Sequence, residues 1–269
     1  MTTVEFARKG IQFIYRYITH DPLFVFQYAL AYFQKGYTND AKFYSDQELA
    51  SCLQSGKSVI RIGDGEIGLL HGRDISYQKA DKGLVEYLRK SIAEYTSESP
   101  YILAIPVFVN QTNTELIKKN VLRCWLPLKI EYRRSFKKEV AYADAHFFYY
   151  KNKFETYLEE YLENKKLIIN TTQENINRQK SAIEKQFTVL GWVEAKSPEP
   201  FDLFNETQKQ IDEIVKRYDG DMKDVALVLS SGPMSKALAY IYAKKGIQAF
   251  DIGKGFEHIY NSNNFESNI

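Results

Sequence analysis

From about Tyr44 onward the chain alternates short apolar runs with amphipathic stretches, and this rhythm constrains the fold more than any other feature. A brief apolar run bounded by turn residues reads as a buried strand, and apolar residues at three- and four-residue intervals read as a helix. Helices are therefore expected near 46–55, 81–95, 114–122, 152–165, 205–217 and 234–245. Strands are expected at 58–62 (SVIRI), 101–108 (YILAIPVF), 145–150 (AHFFYY), 167–170 (LIIN), 188–193 (TVLGWV), 225–231 (VALVLSS) and 247–252 (IQAFDI). Strands separated by helices imply an α/β fold, a mostly parallel sheet flanked by helices, with ligands gathered beyond the carboxyl ends of the strands.

The stretch 4–36 differs from the rest. Phe6, Ile11, Phe13, Ile14, Tyr17 and Ile18, then Phe24, Phe26, Tyr28, Leu30 and Phe33, crowd two helical stretches split at Asp21-Pro22, and Arg8, Lys9, Arg16 and His20 make the first one basic. The chain thus divides into an N-terminal helical segment, 1–43, and one α/β domain, 44–269. A basic amphipathic helix can lie on a membrane surface, and a helix with an apolar face can equally pack on its own domain. No run approaches the roughly 18 apolar residues of a membrane span, and MTTVEFARKG lacks a secretory core. The expected location is cytoplasmic, with peripheral contact at the inner face of the membrane through 4–36 as the alternative use of that segment. With 36 Lys+Arg against 34 Asp+Glu, nothing points to a nucleic-acid partner. Cys52 and Cys124 are too few for a disulfide framework or a four-thiolate zinc site and read as buried thiols. His20, His71, His146 and His258 are scattered without zinc-ligand spacing, and most of them read as structural.

Two segments carry the chemistry. In the first, Arg61-Ile62-Gly63-Asp64-Gly65-Glu66 follows directly on an apolar strand. Two carboxylates two residues apart in an extended or turn-flanked segment can aim to one side, and with donor phosphates they suit Mg²⁺ or Mn²⁺. Gly63 and Gly65 would allow unusual dihedrals and close backbone approach, and Arg61 can pair with a phosphate. The same G-D-G-E also fits a plain polar turn. In the second segment, Ser231-Gly232-Pro233-Met234-Ser235-Lys236 is a strand–turn–helix junction. Its helix start can bind an anion, with the hydroxyls of Ser231 and Ser235 supplementing it. Asp251, 19 residues beyond Gly232, stands near the roughly 20-residue offset at which a carboxylate reaches a ribose hydroxyl. Asp144 is a further carboxylate, a general base or a turn residue, and Trp125 and Trp192 are sugar-stacking surfaces or core.

In this order, RIGDGE (61–66) and GPMSKALAYIYAKKGIQAFDIG (232–253) resemble the GT-D family of glycosyltransferases, which carry R-[FI]-G-D-G-E early and G-P-[TM]-[AS]-K-x-L-A-Y late. YADAHF (142–147) is similar to the family's Y-G-D-A-F, and SPEPFDLFNETQKQIDEI (197–214) matches loosely. The resemblance implies a Rossmann-like fold and a UDP-sugar donor such as UDP-glucose. It further implies a glycan acceptor, protein- or lipid-linked, and a divalent cation on Asp64 and Glu66. Asp144, Asp251 and Glu66 are then candidates for the base. The sequence departs from the family after Asp251-Ile252-Gly253, where Lys254 replaces a histidine, and in LIINTTQENINRQKSAI (167–183), which lacks a glycine-rich stretch. The competing readings are a methyltransferase using S-adenosylmethionine, because G-D-G-E-I-G looks like the loop opening such folds, and a non-catalytic scaffold in a glycan assembly complex.

Overall fold

The computed structural model describes residues 26, 30–31, 33–255 and 257. Among them eight strands form one sheet: β1 (Lys42–Phe43), β2 (Ser58–Arg61), β3 (Tyr101–Ile105), β4 (Ala141–Asp144), β5 (Lys166–Thr172), β6 (Thr188–Ala195), β7 (Val225–Ser230) and β8 (Gln248–Asp251). The order is β1-β4-β3-β2-β8-β7-β5-β6, and every pairing is parallel.

The two-residue period of the strands divides the core. Ile60, Leu103, Ile168, Leu227 and Ala249 face one helix layer, made by α2 (Asp64–Leu70), α3 (Lys82–Ala93), α5 (Leu122–Ser135), α9 (Phe204–Arg217) and α10 (Met234–Lys244). Val59, Ile102, Ile169, Val228 and Phe250 face the other, made by α1 (Asp46–Gln54), α6 (Lys151–Tyr157), α7 (Glu159–Glu163) and α8 (Gln173–Gln186). A sheet covered on both faces explains why its strands read as continuous apolar runs. Each fully buried aliphatic side chain contributes about 1.5–3 kcal/mol.

Several expectations need correction. The strand expected at 145–150 is instead β4, which ends at Asp144; the Asp144 carboxylate accepts the His146 N–H at 3.0 Å and turns the chain into a 3₁₀ turn at Phe147–Tyr149. Phe147 and Phe148 are buried from that turn, which is why the segment looks strand-like. The helix expected at 114–122 is α4 (Asn113–Lys118) followed by α5, separated at Asn120, whose φ is 57°. The charged helix expected at 152–165 is the pair α6 and α7. Cys124 is exposed rather than buried.

Lys42 and Phe43, placed by sequence in the N-terminal segment, form the edge strand β1 on β4. Asn113 Nδ2 donates to the carbonyls of Ala31 (3.2 Å) and Gln34 (3.0 Å), and buried Lys129 Nζ donates to that of Tyr37 (3.0 Å). The described residues from 31 to 43 are therefore built onto the α/β body. Most of the helical segment expected over 4–36 lies outside the described residues. Among the described residues no helix is long and apolar enough to cross a membrane.

Candidate active site

A cleft of about 470 Å³ opens over the carboxyl ends of the strands. Arg61 enters it from β2, Pro106 from the end of β3, His146 from β4, Thr172 from β5, Ser230 from β7 and Gly253 from β8. From β4 to β5 is five strand spacings, or about 24 Å. The connections after β5 and β7 leave to opposite faces, through α8 and α10, and such a reversal opens a crevice in an α/β sheet.

The floor of the cleft is a chain of alternating charges that joins the two sequence segments. Gly63 precedes α2, and Glu66 turns back so that its Oε2 accepts the Gly63 N–H at 2.8 Å. The other oxygen of Glu66 lies 3.3 Å from Lys236 Nζ in α10. The same ammonium lies 3.2 Å from Asp251 Oδ2, an oxygen that also accepts the Arg61 backbone N–H at 3.1 Å. The Arg61 side chain donates to the Ala145 carbonyl and to the Tyr149 hydroxyl, both at 2.7 Å.

Burial opposes charge on each member, and the pairing outweighs it. Burial pushes the Glu66 carboxyl up, but Lys236, the Gly63 N–H and Arg61 hold it below its ordinary value. Burial likewise weakens the Lys236 ammonium, and Asp251 with Glu66 holds its pKa above the usual lysine value. Asp64 behaves differently. It keeps an exposed surface at the mouth of the cleft, yet the enclosing walls and then the Glu66 charge raise its carboxyl above the usual range.

The two carboxylates that spacing suggested would act side by side both line the cleft, in different surroundings. Both oxygens of Glu66 are engaged by the Gly63 N–H and Lys236, whereas Asp64 keeps an exposed surface. Among the described residues no three His, Cys, Asp or Glu side chains gather as a metal cage. A hard cation that also carries substrate phosphates needs only one or two protein carboxylates, and Asp64 fits that demand. Glu66 would have to leave Lys236 to join it.

The expected glycine and serine roles change as well. Gly63 has φ −106°, an ordinary extended value, and its smallness matters because a Cβ there would stand 3.2 Å from the Glu66 carboxylate. Gly65 lies inside α2 with no positive φ. Gly232 has φ 59° and lies under the Tyr77 ring, where a Cβ would come within 3.2 Å. Ser231 and Ser235 are buried and bond to one another at 3.0 Å, and Ser235 Oγ also accepts the Ser231 N–H at 2.8 Å. This pair ties down the start of α10, and neither serine lines the cleft, nor does Pro233. Asp251 is wholly buried beneath the floor, where it anchors Lys236, and is not among the residues that line the cleft. Asp144 stands behind His146.

Of the walls, sequence reasoning named Trp125 and missed most of the rest. At the β4 end, Trp125 stacks on Phe108 with ring centroids 4.8 Å apart and meets His146 edge-on at 6.1 Å. Trp192, by contrast, lies on β6 and donates to Glu184 at 2.8 Å, away from the cleft. Tyr77 comes from a loop pinned by Glu199, whose N–H donates to the Tyr77 carbonyl at 2.9 Å and whose carboxylate accepts the Lys79 N–H at 2.8 Å. Burial, then Glu66, pushes the Tyr77 hydroxyl up to about 12. At the β5 end, Thr172 at the close of β5 and Asn175 and Arg178 from α8 line the cleft together with Lys254 and Glu257. Only the polar cap Thr172 before an otherwise weakly apolar helix signals this end in sequence.

This architecture is shared with known proteins. A solved structure described as a new glycosyltransferase from Streptococcus sanguinis superimposes with TM-score 0.67 at 19% identity, over 81% of this chain and 83% of the other. Another, described as a domain of unknown function 1792 with a distinct glycosyltransferase fold, gives 0.64 at 20% identity, over 82% and 79%. Among curated proteins, the probable glycosyl transferase Gly of Streptococcus gordonii is 36% identical over 81 residues, which are 30% of this chain and 12% of that longer protein. The sequence model of the family described as Glycosyltransferase GT-D fold matches residues 59–264, a span that holds β2 through β8 and both halves of the charged floor, and on that match the chain belongs to the GT-D glycosyltransferases.

Proposed function

We propose that the protein transfers a hexose, glucose being the leading case, from a UDP-sugar to a protein- or lipid-linked glycan in surface polysaccharide or glycoprotein assembly. The observation that carries this reading is Lys236, which bridges Glu66 and Asp251 and so locks the two family segments into one cleft floor. The nucleotide fits the crevice between β5 and β7, where Arg178 and Lys254 add positive charge. Its diphosphate then lies over Gly232 and Lys236, and the reacting sugar reaches the Asp64 mouth. Arg61 is held by Ala145 and Tyr149, so its charge is fixed before substrate arrives, which is how a preorganised site stabilises a leaving diphosphate. Asp64 would hold Mn²⁺ or Mg²⁺ together with the diphosphate oxygens, and the metal would offset charge growing on the nucleoside diphosphate. The aromatic wall of Trp125 suits the acceptor sugar. The family match supports this reading over the methyltransferase and scaffold alternatives.

Thermal unfolding across a panel of nucleotide sugars, with and without Mn²⁺, tests it without knowledge of the acceptor. A ligand at a hundred times its Kd stabilises by about 2.7 kcal/mol, or roughly 5–10 °C in a chain of this size. A UDP-hexose is expected to give that shift with Mn²⁺. A shift with S-adenosylmethionine alone would move the reading to a methyltransferase.

A further inference from the structure

We infer that His146, held by Asp144, is the general base that takes the proton of the acceptor hydroxyl. The inference rests on the glycosyl-transfer reading and adds the group that activates the nucleophile.

Asp144 Oδ1 accepts the backbone N–H of His146 at 3.0 Å and lies 3.4 Å from its Nδ1. A carboxylate at Nδ1 favours the tautomer with the proton on that nitrogen and leaves Nε2 as the lone-pair acceptor. Nε2 has no hydrogen-bond partner among the described residues, and the ring lines the cleft. Edge-on contacts with Trp125, Phe108 and Tyr149 fix its plane. The loop that carries it is clamped to the charged floor on both sides, because Arg61 bonds to the carbonyl of Ala145 before it and to the hydroxyl of Tyr149 after it. His146 therefore belongs to the same rigid unit as the cleft floor, at the end opposite the β5–β7 crevice.

The other groups on the cleft are committed elsewhere. Glu66 and Asp251 share the Lys236 ammonium, and the Arg61 backbone N–H donates to Asp251. The Tyr77 hydroxyl, pushed up to about 12, stays protonated. Glu174 pairs with Arg178 at 2.6 Å, and Glu257 accepts from Asn175 at 3.3 Å, both at the nucleotide end. Asp64 is, on the glycosyl-transfer reading, taken up by the cation and the diphosphate. His146 is left as the group with an accessible basic nitrogen on the acceptor side.

The step balances as a single displacement. The acceptor oxygen uses a lone pair to form the bond to the anomeric carbon. The bond from that carbon to the β-phosphate oxygen breaks, its electron pair leaving with the nucleoside diphosphate. The hydroxyl proton passes to His146 Nε2 and from there to water. Attack from the end opposite the leaving group inverts the anomeric configuration. Asp144 acts through His146 and is a positioning residue.

The test compares wild type, His146→Ala, His146→Gln and Asp144→Asn in donor-induced thermal shift and in transfer to acceptor, with and without added imidazole. A general base is worth about 10²- to 10⁴-fold in rate. His146→Ala and His146→Gln are expected to lose that much in kcat while keeping the donor-induced shift. Imidazole is expected to restore part of the His146→Ala rate, and the wild-type product is expected to carry the inverted linkage. Transfer by His146→Ala within about threefold of wild type, a loss that imidazole does not restore, a loss of donor shift in both His146 variants, or a retained linkage would each overturn the assignment. A wild type that shows no shift with any nucleotide sugar would instead overturn the glycosyl-transfer reading beneath it, and that result is seen before any His146 variant is assayed.

Discussion

Replacing Lys236 by Met should unfold the cleft floor from below. Lys236 is 6% exposed and lies 3.3 Å from Glu66 and 3.2 Å from Asp251, which is 0% exposed. Met keeps the length and apolar bulk of the side chain, so the perturbation is the lost charge, and it leaves two buried carboxylates with Arg61 as their nearest cation. Removing one partner from a buried ion pair costs about 3–5 kcal/mol. For a chain of 269 residues, where each kcal/mol moves Tm by about 2–4 °C, the midpoint should fall by roughly 6–20 °C. The loss should also depend on pH, with a definite sign. In the wild type the Glu66 carboxyl is held below its ordinary value. Its contribution is thus complete above the unfolded value of about 4.3 and is lost as pH falls through the lower folded value. In Lys236→Met, burial is no longer opposed by the ammonium, so the folded state takes up protons at a pH where the wild type binds none. The gap between the two proteins should therefore narrow as pH falls from about 8 to about 5. Urea unfolding across that range measures it. A loss under about 1 kcal/mol, or a gap that does not change with pH, would refute the claim that Lys236 holds both carboxylates in their charged form.

Two other substitutions probe the walls. Trp125→Ala should raise the KM for acceptor by about tenfold, equivalent to 1.4 kcal/mol, and leave the donor-induced thermal shift unchanged; steady-state kinetics with varied acceptor decides this. Gly232→Ala places a Cβ in a left-handed backbone and within 3.2 Å of the Tyr77 ring. It should cost about 1–2 kcal/mol in thermal unfolding and weaken donor binding in calorimetry, whereas an unchanged donor affinity would remove Tyr77 and Gly232 from the donor site.

The alternating rhythm carried the fold because each buried strand is a short apolar run and each covering helix shows one apolar face. It failed where apolar residues are buried from a turn, as at Phe147 and Phe148, and where a helix is mostly polar, as in α8, whose buried face rests on Ile176, Asn175, Gln179 and Ile183. The loop after β2 was legible as a site because two glycines and two carboxylates leave an apolar strand together. Local spacing says nothing about Lys236, which is 170 residues away and pairs with Glu66. In the same way the 19-residue offset made Asp251 look like a ribose ligand, and only the register of β8 beside β2 and β7 shows it buried under the floor. His146 gave no signal because its ring contacts beyond its own loop come from two other segments of the chain, Phe108 and Trp125.

On the proposed function, this cleft breaks the bond between a sugar and a nucleoside diphosphate with Asp64 at its mouth. Donor turnover by wild type and Asp64→Ala, with UDP-hexoses and Mn²⁺, tests it most directly. Wild type should release UDP from one donor in a Mn²⁺-dependent reaction, and Asp64→Ala, which removes a side chain with an exposed surface, should keep the wild-type Tm while losing that release. Full metal-dependent turnover by Asp64→Ala, or no release from any nucleotide sugar by the wild type, would contradict it.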